Sequence, residues 1–275
     1  MSKFISLLFF FYTVISAQSE LRNKKIGDFS EATCFSFINS GYFIVGDYNT
    51  NEIYKIDTTG ILLKEIGGYG WQPGLFDFPA AIHANELNTY ICDKNNDRIV
   101  ITDRDLNFLS IIRSNDNNTQ VNYKQPTCFG VNNQSDFFIL DSYNQQILKF
   151  DLRGNFIQQI GSYDQGDFYL SNPINFALSP DGKLFASNSK QIFVFDQFGL
   201  GLIKISSPIE NAKLKIFDTF LTIFNNDTVY TINLANLGSG FNKCNTNDAY
   251  NIVEAIFTGT KLFVLTEKNI FIYEY

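Results

Sequence analysis

Residues 137–160 read FFILDSYNQQILKFDLRGNFIQQI, and the spacing within this stretch decides the fold. The apolar run Phe137–Leu140 ends at Asp141. Ile147 opens a second run ending at Asp151, Gly154 follows three residues later, and Ile160 lies nine beyond Asp151. Short β-rich runs separated by Asp, Asn and Gly mark consecutive antiparallel strands. The D-L-R-G turn has a physical basis. An Asp at its first position accepts hydrogen bonds from nearby backbone N–H groups, and a Gly at its fourth tolerates positive φ.

The same frame recurs as Asp47, Ile53, Asp57, Gly60, Ile66 and as Asp93, Ile99, Asp103, Ile112. In the latter, Leu106 stands where the glycine would be, so Asp105 or Asn107 is expected to take the special backbone conformation. A shortened copy has Asn188, Ile192, Asp196, Gly199 and Ile205, and worn copies centre on Val229/Asn233 and Ile270/Glu274. The anchors at 57, 103, 151, 196, 233 and 274 lie 37 to 48 residues apart. A period of that size with about four strands per unit implies propeller blades rather than helical solenoids. Six anchors predict an all-β, six-bladed propeller of four-stranded antiparallel blades.

Pro79, Pro126 and Pro173 precede their anchors by 24, 25 and 23 residues, each just ahead of an apolar segment. Proline lacks an N–H donor, and the first residue of a strand is one of its few tolerated sites in a sheet. With GGYGWQPGLFDFP (Gly67–Pro79) and GSYDQGDFYLSNP (Gly161–Pro173), the order G-x-x-G, F-x-x-P, apolar strand, D-x-x-N-x-x-I, D-x-x-G resembles the NHL repeat. The resemblance is good over residues 29–205 and faint over 206–275.

Residues 1–17 carry Lys3, an eleven-residue apolar core from Ile5 to Ile15 and a small Ser16-Ala17 site. This is the pattern of a secretory signal peptide, too short to span a bilayer. Its removal takes one lysine and no acid, moving the formal charge from −7 to −8. Residues 18–275 then form one propeller domain, secreted or periplasmic, with no membrane span. Leu21–Phe29 resembles the last strand of a blade, whereas the final repeat stops at its third strand. The amino-terminal segment is therefore expected to complete the last blade and close the ring, removing an exposed edge.

In the first strand of each blade one parity is bulky (Phe35, Phe37, Ile82, Phe129, Val131, Phe176, Leu178). The other is small or polar (Cys34, Ser36, Ala81, His83, Cys128, Gly130, Asn175, Ala177) and is expected to border a central channel. Chain reversal at each turn places the loops between second and third strands at the same end of the ring as the loops between blades. That end would carry Tyr48, Asn49, Lys94, Asn95, Asn96, Tyr143 and Asn144, with Tyr69, Trp71 and Tyr163.

Catalytic inventory is sparse. His83, the only histidine, is either a general base at the channel or, by preference, a packing residue. The resemblance extends to propeller enzymes (amidating lyases, streptogramin lyases, lactonases) that place several His or acidic residues around the axis, which one histidine cannot supply. Asp47, Asp93 and Asp141 are oxygen-rich candidates for calcium, but their once-per-blade recurrence fits turn capping, so no metal or cofactor is expected. Cys34, Cys92, Cys128 and Cys244 contain no CxxC pair and are expected to be mostly free, buried thiols. Trp71, the only tryptophan, is either an interface anchor or, by preference, a plug between the first two blades.

Some NHL propellers bind RNA through a basic face. Here the net charge is acidic and the only basic cluster is Arg22–Lys25, so nucleic acid is not expected. Glycosylation acceptors occur at Asn117, Asn133 and Asn226. The function expected is a non-catalytic binding propeller whose ligand is a protein, peptide or glycan. The alternative is a lactonase-like hydrolase or lyase using the channel.

Overall fold

The computed structural model describes residues 24–113, 122–151 and 153–275. The leader 1–17 and the acceptor at Asn117 lie outside the described residues. Among the described residues twenty-four strands form six four-stranded antiparallel sheets. Strand β1 (Lys24–Ile26) precedes blade one, which comprises β2 (Ala32–Ile38), β3 (Tyr42–Asp47), β4 (Glu52–Asp57) and β5 (Leu62–Gly67). Blade two is β6 (Pro79–Ala84), β7 (Asn88–Asp93), β8 (Arg98–Asp103) and β9 (Phe108–Arg113); blade three is β10 (Pro126–Val131), β11 (Phe137–Asp141), β12 (Gln146–Phe150) and β13 (Phe156–Ile160). Blade four is β14 (Asn175–Leu178), β15 (Leu184–Ser187), β16 (Gln191–Phe195) and β17 (Gly201–Ser206); blade five is β18 (Lys213–Phe217), β19 (Phe220–Phe224), β20 (Val229–Asn233) and β21 (Asn242–Lys243). Blade six is β22 (Ile252–Phe257), β23 (Lys261–Thr266) and β24 (Ile270–Glu274), completed by β1.

Closure is thus made between β1 and β24. Lys24 pairs with Ile272 and Ile26 with Ile270, and each inner strand adjoins the next around to β22 against β2. The chain is a six-bladed β-propeller.

The turns between third and fourth strands follow their sequence. The carboxylates of Asp57, Asp103, Asp151 and Asp196 each accept from the backbone N–H groups two and four residues on. Blade two departs from expectation: Leu106 itself adopts φ +58°, where the other blades use Gly60, Gly154 and Gly199. Its side chain is buried, and that burial offsets the cost of a left-handed non-glycine residue.

The blades pack large against small. Phe35, Ile82, Phe129 and Phe176 face the preceding blade, while Cys34, Ala81, Cys128 and Ala177 face the following one. The small column is therefore chiefly a receptacle for the neighbour's bulky side chains. Gly130 shows how tight the fit is, since a Cβ there would lie 2.8 Å from Leu178 Cδ1.

A second packing column plugs the seams. Phe76, Tyr123 and Leu170, each three residues ahead of Pro79, Pro126 and Pro173, are buried between blades, as is Phe29 three ahead of Ala32. The amides of Phe76 and Leu170 donate to the carbonyls of Gly68 and Gly161. Trp71 is not the plug; Phe76 is, and the indole is 70% exposed.

Candidate functional site

Two regions compete: the end of the ring that carries Trp71, and the channel.

At the Trp71 end, the loops after β3, β7 and β11 and the connections between blades meet, as their mutual hydrogen bonds show. Asn49 Nδ2 donates to Ser30 Oγ at 2.6 Å, Asn95 Nδ2 to Asp77 Oδ1 at 2.8 Å, and the Gln125 amide to Asp97 Oδ1 at 2.7 Å. Asp47, Asp93 and Asp141 are fully buried beneath these loops. Asp47 accepts from the amides of Ser30, Glu31, Asn49 and Thr50; Asp141 accepts from Asn144 and Gln146. Asp93 accepts from the Asp77 amide, Asn96 and Arg98. Their lone pairs are engaged by the protein, which accounts for the acids structurally. Asn49, Asn95 and Asn144 likewise use their amides to hold the loops.

The aromatics are what the face presents. Tyr69, Trp71, Tyr143 and Tyr163 are exposed. Tyr48 packs on Phe78 at 4.5 Å between ring centroids, Lys124 sits 5.3 Å over the Tyr143 ring, and Tyr163 meets Tyr169 edge-on at 5.6 Å. Phe78, Lys124 and Tyr169 escape the sequence pattern because each lies outside the repeated turn positions.

Arg98 holds the Trp71 loop. Its side chain is wholly buried, with Nε 2.6 Å from Asp93 Oδ2. Its remaining donors reach the carbonyls of Trp71, Gln72 and Leu75, and Asn96 Nδ2 reaches the Gly70 carbonyl at 2.9 Å. A planar guanidinium with five fixed donors suits a cluster of carbonyls and one carboxylate. The loop backbone is therefore fixed while its indole remains in solvent.

The channel is occupied mainly by groups that satisfy strand edges. Inner strands have one unpaired edge, and a buried unpaired N–H costs as much as a lost hydrogen bond. Glu254 Oε2 accepts from the Phe35 amide at 2.8 Å, and Asn175 Oδ1 accepts from the Leu214 amide at 2.8 Å. Lys215 Nζ pairs with Glu254 at 3.1 Å and donates to the Phe35 carbonyl at 3.3 Å. The Cys34 thiol donates to the Pro79 carbonyl and the Cys128 thiol to that of Phe176. What is left is a cavity of about 80 Å³ bordered by His83, Cys128, Asn175, Lys215 and Glu254 among others.

The protonation states follow from burial. Desolvation, then the nearby Lys215 charge, pulls His83 down to about 4, so the imidazole is neutral at pH 7. Burial pushes the Cys34 thiol up to about 12 and that of Cys128 to about 11. Burial opposes the charge on Lys215 most strongly, but Glu254, Cys128 and Cys34 together outweigh it and the ammonium is held above its ordinary range. His83 packs against Tyr90 and Phe129 at 6.0 and 6.4 Å. All four cysteines are free and buried. Among the described residues no three His, Cys, Asp or Glu side chains converge as metal ligands would, and no helix is long and apolar enough to cross a membrane.

No family model matches the chain, and no curated protein does. Solved propellers do. A streptogramin B lyase structure superposes with a TM-score of 0.61 at 11% identity, covering 92% of this chain and 97% of that one. An inactive histidine-to-alanine variant of virginiamycin B lyase from Staphylococcus aureus, with quinupristin, gives 0.58 at 13%, covering 89% and 80%. The selenomethionine form of that lyase gives 0.56 at 13% with the same coverage. At these identities the likeness is one of fold.

Proposed function

We propose that this protein is an NHL-like binding propeller that acts outside the cytoplasm, after removal of a leader over residues 1–17. It captures a protein, peptide or glycan on the face bearing Tyr48, Asn49, Tyr69, Trp71, Asn95, Tyr143, Asn144 and Tyr163. One observation carries this reading: Trp71 stands 70% exposed on a loop anchored by a buried arginine. Fixing an exposed aromatic in advance lowers the ordering cost of binding, and Trp and Tyr dominate the residues that carry binding energy. The experiment is capture of a partner from the native extracellular milieu by the mature protein. Alanine at Tyr69, Trp71 and Tyr163 should abolish capture and leave the melting temperature within a few degrees; undiminished capture removes the proposal.

A second reading has a specific observation behind it, the likeness to streptogramin and virginiamycin B lyases. It makes the protein a lyase or hydrolase working at the channel, with His83 as base. The engagement of Glu254, Asn175 and the inner cysteines in strand-edge bonds weighs against it. Turnover of quinupristin, or of a lactone and ester panel, that disappears in His83→Ala would establish this reading in place of the first.

A further inference from the structure

Blade five breaks the repeat on the face that carries Trp71. Its outer strand β21 has two residues, against five or six in blades one to four. The seam that follows also lacks its plug. Where other seams insert Phe29, Phe76, Tyr123 or Leu170, the residue three ahead of Ile252 is Ala249. The equivalence is marked by the backbone: Phe78, Gln125 and Asn251, each just before its inner strand, and Asn172, just before Pro173, all take positive φ.

Beside this seam an open cavity of about 640 Å³ lies between the 225–228 loop and the 243–250 connection. Its walls are held in place. Asn225 Oδ1 accepts from the amides of Asp227 and Thr228, and the Tyr275 hydroxyl accepts from the Asn245 amide at 2.9 Å. Its rim is formed by Asp227, Thr228, Lys243, Asn247 and Tyr250, whose ring is 77% exposed. Among the described residues neither Asp227 nor Lys243 belongs to an ion pair.

The lining selects a ligand class. One acid and one lysine cancel, which disfavours phosphates and polyanions. Amide, hydroxyl, carboxylate and ammonium groups together supply both donors and acceptors, as a ring of hydroxyls requires. An exposed tyrosine offers a flat apolar face for the C–H side of such a ring. The volume lies within the ordinary range for small-ligand sites. We propose that this cavity is a carbohydrate subsite for a neutral oligosaccharide, an inference that rests on the reading of this face as the binding face.

The mature protein is titrated calorimetrically with maltotriose, cellotriose and chitotriose, with saturation-transfer NMR to map the bound rings. At least one trisaccharide should bind, and Tyr250→Ala or Asp227→Asn should weaken it by about tenfold or more. Ala249→Leu adds bulk to the cavity wall and should weaken binding. Absence of binding, binding indifferent to Tyr250→Ala and Ala249→Leu, or selection of peptides instead of sugars at Tyr250 each overturns the subsite. Continued Trp71-dependent partner capture in those cases would leave the face reading standing. Trisaccharide binding with capture indifferent to Tyr69, Trp71 and Tyr163 would instead support the subsite and remove the aromatic-face reading.

Discussion

The backbone N–H of Phe35 donates to Glu254 Oε2 across 219 residues of sequence, at 2.8 Å, joining the first blade to the last. The same carboxylate holds Lys215, which also reaches the Phe35 carbonyl. Removing one partner of a buried charged pair strands the other, at a cost of roughly 3–5 kcal/mol. Glu254→Ala should therefore lower unfolding free energy by about that amount, and Glu254→Gln by less, because the amide oxygen still accepts from Phe35. Urea denaturation of the purified protein measures both.

Arg98 should couple stability to the posture of Trp71. Arg98→Met leaves Asp93 buried without its cation and three carbonyls without donors, so the loss should exceed about 3 kcal/mol. Trp71 is the sole tryptophan, so its anisotropy decay reads the loop directly. The native indole should be quenched by acrylamide almost as freely as a peptide indole, with slow segmental motion. In Arg98→Met the quenching should persist while the motion quickens.

His83 predicts a pH dependence of definite sign. Its pKa in the folded state is about 4, below the ordinary 6.5, so on acidification the unfolded chain binds the proton first. The contribution of this group is complete above pH 6.5, declines as pH falls towards 4 and is level below that. Lys215 and Glu254 border the same cavity, and a mutant is needed to isolate the histidine. The melting temperature of His83→Gln should fall less between pH 7 and pH 5 than that of the wild type.

The cysteines should be silent in the native state. Cys34, Cys92, Cys128 and Cys244 are buried, with thiols pushed upward first by desolvation. Thiolate is the reactive form. A thiol-specific disulfide reagent should label none of them before unfolding and all four after it.

Strand β1 should act as an edge guard. A form lacking residues up to Gly27 would expose the outer side of β24, and open edges recruit other strands. Such a form should associate in size-exclusion chromatography at concentrations where the intact protein does not.

The number of blades and the closure at β1 are legible in the spacing because each Asp–Gly turn has a local cause that survives translation along the chain. Leu106 is not legible in this way, since its left-handed backbone is supported by burial, a tertiary effect. The glycines flanking Trp71 draw it towards the seam in the sequence pattern, whereas Phe76, the phenylalanine of F-x-x-P, recurs as Tyr123 and Leu170 with only a large ring or branched chain in common. The Glu254–Lys215 network lies in the two worn repeats, where no periodic signal aligned either residue with Cys34 or His83. The small residue at Ala249 stands out only beside Phe29, Phe76, Tyr123 and Leu170, which share a place in the fold rather than a motif.

The blade shared by Lys24–Ile26 and Ile270–Glu274 also sets the order of events at the ribosome. Five modules can collapse as they emerge, but the sixth needs both of these segments, so the nascent ring remains a split washer until Ile270–Glu274 has been made. Contacts that distant in sequence slow folding, and helper proteins that shield open strands would act in that interval.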